Sequence, residues 1–364
     1  MTRARATGGW RGLLAFVGLS LLALPGCGGD GEAVADPLRR APTTSTSTTT
    51  TVPTTTTAPP PTFPLSGLPA ADPALLSRPA LCVKIDNVDS PSQQARPQIG
   101  LNQADVVYEV LVEGGITRFL AVFHSTDADP LGPIRSARTS DISIFSPLNR
   151  PLFAWSGAAD WVIPRVRNAP AIDVSHDAAA PAYRRRGDRR SPHNLYSSTG
   201  AFYGFAPAGS TPPPTLFAFR DASAPLAAGA RPVAGVDLSF GPGPAAVPVQ
   251  YRWDPARSGW ARTQNGSPHV DEAGVQVAPQ NLVVQLVPYG LDSPRIPLAQ
   301  LEGTGPVLVF TNGHVIEGTW SKAAPDAVTQ YAAATGQPIG LTPGRTWVAL
   351  VPSGGSTRGS AAVV

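Results

Sequence analysis

Glu109, Glu113 and Arg118 surround the pair Gly114-Gly115, the first place where residue types and spacing could do chemistry. Two carboxylates beside a guanidinium can hold a charged ligand or tune one another for proton transfer. A second group lies in Gly132-Pro133-Ile134-Arg135-Ser136-Ala137-Arg138. Two arginines three apart at a helix start, with Ser136 as N-cap, would offer phosphate or carboxylate both charge and free backbone N–H groups. Neutralising the acidic group is the plainer task for the same arginines. Arg96 adds another cation, and Asn194 follows His193 behind the basic run at residues 183–190. That run reads either as a solvated surface or as a binder of anionic polymer. His193 beside Asn194 reads first as a hydrogen-bonded structural residue; as the candidate proton carrier it needs Asp86, Glu109 or Glu113 in the same cleft to act as a general base.

No complete catalytic set accompanies these residues. The chain has no HExxH pattern, no Walker-type loop, no dinucleotide-binding glycine motif and no GxSxG elbow. His176-Asp177 is an isolated pair, so neither a metal site nor a cofactor is expected. Trp320 and Trp347 at strand ends read as core residues, with contact to sugar rings as the alternative.

The elements that must position these groups are legible in outline. Residues 81–86 read as a short strand running into the turn pair Asp86-Asn87. Residues 106–113 and 116–123 flank Gly114-Gly115, which predicts a two-residue hairpin because both glycines accept positive φ. That register sets Arg118 opposite Leu111, bracketed diagonally by Glu109 and Glu113 on an otherwise apolar face. Buried charges there must pair, so a structural triad is expected in preference to a catalytic pair. Four residues along a strand put the two glutamates about 13 Å apart at Cα, too far to assume joint acid–base work. A helix is predicted over residues 136–145.

Further along, residues 249–253, 282–286, 307–310, 315–320 and 346–351 read as strands, with turns at Asn265-Gly266, Asn312-Gly313 and Pro343-Gly344. The Pro/Ala/Gly-rich stretch at 207–232 separates an N-terminal mixed unit, 63–215, from a β-rich unit, 232–352. Residues 353–364 read as a frayed tail.

The N-terminus gives an address. Arg3, Arg5 and Arg11 precede an apolar run at 13–24 and then Leu24-Pro25-Gly26-Cys27. This reads as a lipoprotein signal over 1–26, with lipid on Cys27. The apolar run is well short of the ~20 residues a spanning helix needs. Residues 27–62, rich in Thr and Pro, read as a disordered tether. Of 28 basic residues, three leave with the signal, so 25 face 25 acids and the formal net charge falls from +3 to zero. A basic pI of 9.1 therefore gives no support for nucleic-acid binding. With Cys27 lipidated, Cys82 has no disulfide partner and reads as a small buried hydrophobe.

Ala95-Arg96-Pro97-Gln98, Ala104-Asp105-Val106-Val107-Tyr108-Glu109, Val112-Glu113-Gly114-Gly115-Ile116-Thr117-Arg118-Phe119, Gly132 to Arg138 and Pro192 to Tyr196 resemble the YerB-like lipoprotein family. Gly318-Thr319-Trp320-Ser321-Lys322 and Leu341-Thr342-Pro343-Gly344-Arg345-Thr346-Trp347 match it more loosely. The resemblance implies an α/β (α+β) fold: a layered sandwich with mixed sheets, an N-terminal α/β domain and a β-rich C-terminal domain. It implies no established activity. Two readings stand: an exported, membrane-anchored lipoprotein that binds an anionic ligand, an envelope polymer or a partner protein without catalysis, or a hydrolase or transferase acting on an envelope polymer.

Overall fold

A computed structural model describes residues 60–364 apart from 91, 222, 242–245 and 294–295. The residues read as a signal, Cys27, and all but the end of the stretch read as a tether lie outside the described residues. That end is already paired: Thr62 bridges Pro69, and Ala70 N–H donates to Pro61.

An eleven-stranded mixed sheet forms the middle of the molecule. Its centre runs Gly303–Thr311, Asn281–Val287, Thr346–Pro352, Val106–Leu111, Thr117–Phe123, Leu81–Ile85 and Leu152–Ala154. Residues from both halves of the sequence meet where Thr346–Pro352 pairs in parallel with Val106–Leu111. These strands are apolar on both faces because both faces are covered. One face packs Val107, Phe119, Phe123 and Trp347 against Tyr251 and Trp260 of a five-stranded antiparallel sheet. The other packs Val106, Val110, Leu120 and Val348 against Ile144, Phe145, Val162 and Val166 of two short helices. The result is the expected layered α/β sandwich, with its C-terminal half β-rich.

Turn chemistry sets much of this. Asn312 and Gly313 both take positive φ, and Thr311 pairs directly with His314 across them. That is the two-residue hairpin an Asn-Gly pair favours. Each predicted C-terminal strand is present. The last residues are not a frayed tail: Ser360–Val363 pairs with Gly235–Ser239 in the smaller sheet, and Ala361 and Val363 pack on the core. Backbone pairing and those two side chains hold what composition alone marks as loose.

Two local expectations fail for tertiary reasons. The loop after Val106–Leu111 has three residues, not two. Glu113–Gly115 forms a single 3₁₀ turn and Val112 N–H donates to Ile116. Gly114 and Gly115 both keep positive φ. The extra residue slides the register by one, so Arg118 lies opposite Val110 and Glu109 opposite Phe119. Strand faces alternate, so Arg118 points to the helical side and Glu109 into the space between the sheets. The proposed trio does not form.

The helix begins at Ser140, four residues late, with no side-chain cap. Residues 132–135 are held extended instead: Ile134 bridges Ile85, Arg135 N–H donates to Lys84, and Ile134 N–H donates to Leu195. Gly132 makes this crossing possible. Its φ is +151°, and a Cβ there would lie 2.7 Å from the Tyr196 ring and 2.9 Å from Leu195 O. Gly132→Ala should therefore lower stability by about 1–3 kcal/mol, read as a fall in the urea midpoint. An unchanged midpoint would show that this crossing tolerates displacement.

Candidate functional site

Asp86 follows the Leu81–Ile85 strand and sits on the helical side of the sheet, next to Arg118. Its backbone N–H donates to Pro133, which draws the extended 132–135 segment across the strand end. His193 arrives on a loop fixed by its own N–H to Arg190 O. The three chain segments place His193 Nδ1 2.6 Å and Arg135 Nε 3.1 Å from Asp86 Oδ2. Arg118 Nε lies 3.9 Å from Asp86 Oδ1, an ion pair beyond hydrogen-bond reach. Arg118 and Arg138 both reach Ser136 O at 3.4 Å, and Arg138 forms a two-pronged pair with Glu113.

The cluster is largely closed to water. Asp86, Arg118, Arg138 and His193 are buried, whereas Arg135 and Glu113 are partly open. Burial pushes the Asp86 carboxyl up, but the bond from His193 and the charges on Arg118 and Arg135 outweigh it and hold its pKa below the usual value. Glu113 follows the same logic, with Arg138 as its main counterweight to burial. Arg118 is brought down to about 10 by burial and by repulsion from Arg138, against the pull of Asp86 and Glu113. Three guanidiniums thus face two carboxylates, leaving one positive charge in excess before His193 is counted. Arg118 Nε and His193 Nε2 are buried and have no hydrogen-bond partner among the described residues. With Nδ1 donating to Asp86, the ring presents Nε2 as its unused nitrogen. The arrangement can receive an acceptor-rich anion.

Of the residues singled out in the sequence, Asp86, Glu113, Arg118, Arg135, Arg138 and His193 come together here. Ser136 contributes its carbonyl, not an N-cap hydroxyl. The expected helix N-terminus offers no anion cradle, because Arg138 N–H is already bonded to Asp141 at 2.8 Å. Arg96 lies elsewhere, bound to Asp89 at 2.7 Å and to the carbonyls of Gln264 and Pro268. Asn194 is occupied with Arg185 and Arg186, and the basic run is largely paired with acids: Arg184 with Asp129, and Arg186 and Arg189 with Glu272.

Glu109 belongs to a second, fully buried network between the sheets. It accepts from Arg262 at 2.7 Å, Thr117 at 2.8 Å and Trp347 at 3.1 Å. Trp320 and Trp347 are core residues, as first read. Arg262 also donates to His269 Nδ1 at 2.6 Å, and His269 Nε2 donates to Gln98 at 2.8 Å. Gln98 in turn donates to Asp86 O and Asn87, so the network ends directly behind the anion cluster. The sequence reading passed over Arg262, although Trp260, Arg262 and Gln264 alternate just before Asn265-Gly266. It also passed over Lys84, whose Nζ meets Asp141 at 2.5 Å in full burial. Cys82 is buried, and burial raises its thiol pKa well above the usual value.

His269 makes a pH signature. Its partners require a neutral ring, and burial, then Arg262, then Arg96 hold its pKa well below 6.5. The unfolded chain takes up a proton near pH 6.5 that the folded chain refuses, so stability is present above that pH and lost below it. Between pH 7.5 and pH 5 this one group should remove about 2 kcal/mol. Urea melts of the protein and of His269→Gln at both pH values check it: the variant's loss should be smaller by that amount. Equal losses would mean that the ring is charged in the fold.

Residues 65–210 match the family described as protein of unknown function (DUF3048), N-terminal domain, and residues 236–348 match its C-terminal domain. A curated relative from Bacillus subtilis (strain 168), named "Putative lipoprotein YerB", is 29% identical over 298 residues, covering 79% of this chain and 86% of its own. The crystal structure of YerB protein from Bacillus subtilis superposes with a TM-score of 0.70 at 26% identity, covering 83% of this chain and 99% of that one.

Proposed function

Since the chain belongs to the YerB-like family, whose two domains of unknown function it carries in order, we propose that it is an exported lipoprotein, anchored to the outer face of the cell membrane through lipid on Cys27, that binds a small anionic group without transforming it. One observation carries the binding half of this reading. A buried cluster with excess positive charge keeps one donor, Arg118 Nε, unengaged beside the partly open Arg135. A buried donor left without a partner costs roughly 1–3 kcal/mol, which an arriving phosphate or carboxylate oxygen would recover. The name of the Bacillus subtilis relative and residues 1–27 support the anchor.

Titration calorimetry with inorganic phosphate and with acetate tests the binding. Saturable binding is expected, weakened about 10–100-fold in Arg135→Ala, in line with one charged hydrogen bond. Absence of binding by either anion sinks the reading. Radiolabelled fatty acid entering the wild type but not Cys27→Ala tests the anchor.

The 2.6 Å contact between Asp86 and His193 favours one second reading: hydrolysis of, or transfer to, an envelope polymer, with His193 as general base oriented by Asp86. Turnover of cell-wall polymer that vanishes in His193→Gln, with phosphate binding retained, would establish it.

A further inference from the structure

We propose that the anion carries a short apolar chain, so that the ligand is an anionic amphiphile with its head at Arg118 and Arg135 and its tail beside the Glu113-Gly114-Gly115 loop. The inference rests on the anion-binding reading and goes beyond it in naming the class of molecule. A groove of about 190 Å³ runs along that loop, with Leu111, Val112, Phe240, Ala246 and Pro297 in its walls. Glu113 lines the same groove while its carboxylate grips Arg138. Arg138 lies against Arg118 at the shared carbonyl of Ser136. One residue therefore joins the polar cluster to the apolar groove.

The groove opens to free space at Gly114. A Cβ at Gly114 would touch nothing within 4 Å, and Gly114 carries no side chain to fill the space. Pro297 in the groove wall pairs across a small hairpin with Leu291, which is 60% exposed. An apolar groove with an exposed leucine near its wall, one ion pair away from buried cations through Glu113, is an arrangement for a molecule with an oily end and a charged end. At ~30 Å³ per water-sized unit the groove holds roughly six such units, the bulk of a short alkyl chain. Burying each methylene should strengthen binding about fourfold, so the tail contributes appreciably even if only part of it is enclosed.

The full-length protein is titrated with inorganic phosphate, with octyl phosphate below its micelle threshold, with octyl glucoside and with vesicles of anionic lipid. Octyl phosphate is expected to bind at least tenfold more tightly than phosphate, and octyl glucoside more weakly than octyl phosphate. Ser356→Trp, a bulky replacement at an exposed groove residue, should abolish the preference for the chain and leave phosphate affinity unchanged. Arg135→Ala should weaken both phosphates. Equal affinity for phosphate and octyl phosphate overturns the amphiphile and leaves the anion site intact. Octyl glucoside binding as well as octyl phosphate, or vesicles binding where the monomer does not, overturns it too. If neither phosphate nor octyl phosphate binds, the anion site itself is wrong.

Discussion

Arg262→Met is expected to destabilise the fold by about 3–5 kcal/mol, because it strands the Glu109 carboxylate in an interior closed to water. Both side chains are fully buried and meet at 2.7 Å. Removing the guanidinium leaves Glu109 with only Thr117 and Trp347 as donors, and takes the partners from Tyr251 and from His269 Nδ1. The lost cation also lies over the rings of Phe119, Tyr251 and Trp347. The control is the double variant Glu109→Leu with Arg262→Met. Apolar replacement of a whole buried pair is often neutral or stabilising, so the double variant should recover much of the loss. Chemical denaturation of the three proteins decides the matter. A single variant within about 1 kcal/mol of wild type would mean that water reaches this pair. Because Gln98 links His269 to Asp86 and Asn87, Arg262→Met should also weaken anion binding without touching the anion.

Asp141→Asn should be of similar size. It breaks the Lys84–Asp141 pair, in which both side chains are fully buried, again an expected loss of about 3–5 kcal/mol. This loss carries a pH dependence. Burial already lowers the Lys84 pKa, against the attraction of Asp141, and without that acid the folded chain favours a neutral lysine still more. The unfolded chain keeps its lysine charged up to the ordinary value of 10.5. The folded variant therefore binds fewer protons than the unfolded one, and its stability rises with pH. Its deficit against wild type should narrow between pH 7 and pH 10 in urea melts. A deficit that stays constant would show that Lys84 keeps its charge by turning toward solvent.

Both effects depend on charges that face inward from strands, and the sequence alone reveals them unevenly. Lys84 stands in Leu81-Cys82-Val83-Lys84-Ile85, a run apolar enough to be covered on both faces, so its burial was readable. Its partner Asp141 was not, because 57 residues of chain separate them. The same holds for Asp86 and His193, 107 residues apart. Each could be named as a candidate from its residue type and neighbours, yet only the meeting of three chain segments makes them a pair.

What the sequence determined by itself was local. Alternating apolar residues and Asn-Gly turns specified the C-terminal strands, since side-chain period and positive φ are properties of a few adjacent residues. Family motifs specified the layered α/β plan. The tertiary structure decided the loop length after Val112, which no dipeptide fixes, and with it the face of each residue in Thr117–Phe123. A slip of one residue reverses a strand, and so Arg118 left Glu109 for Asp86. It also decided that residues 132–135 stay extended and that Ser360–Val363 is a strand, because hydrogen bonds to distant backbone outweigh weak local preference.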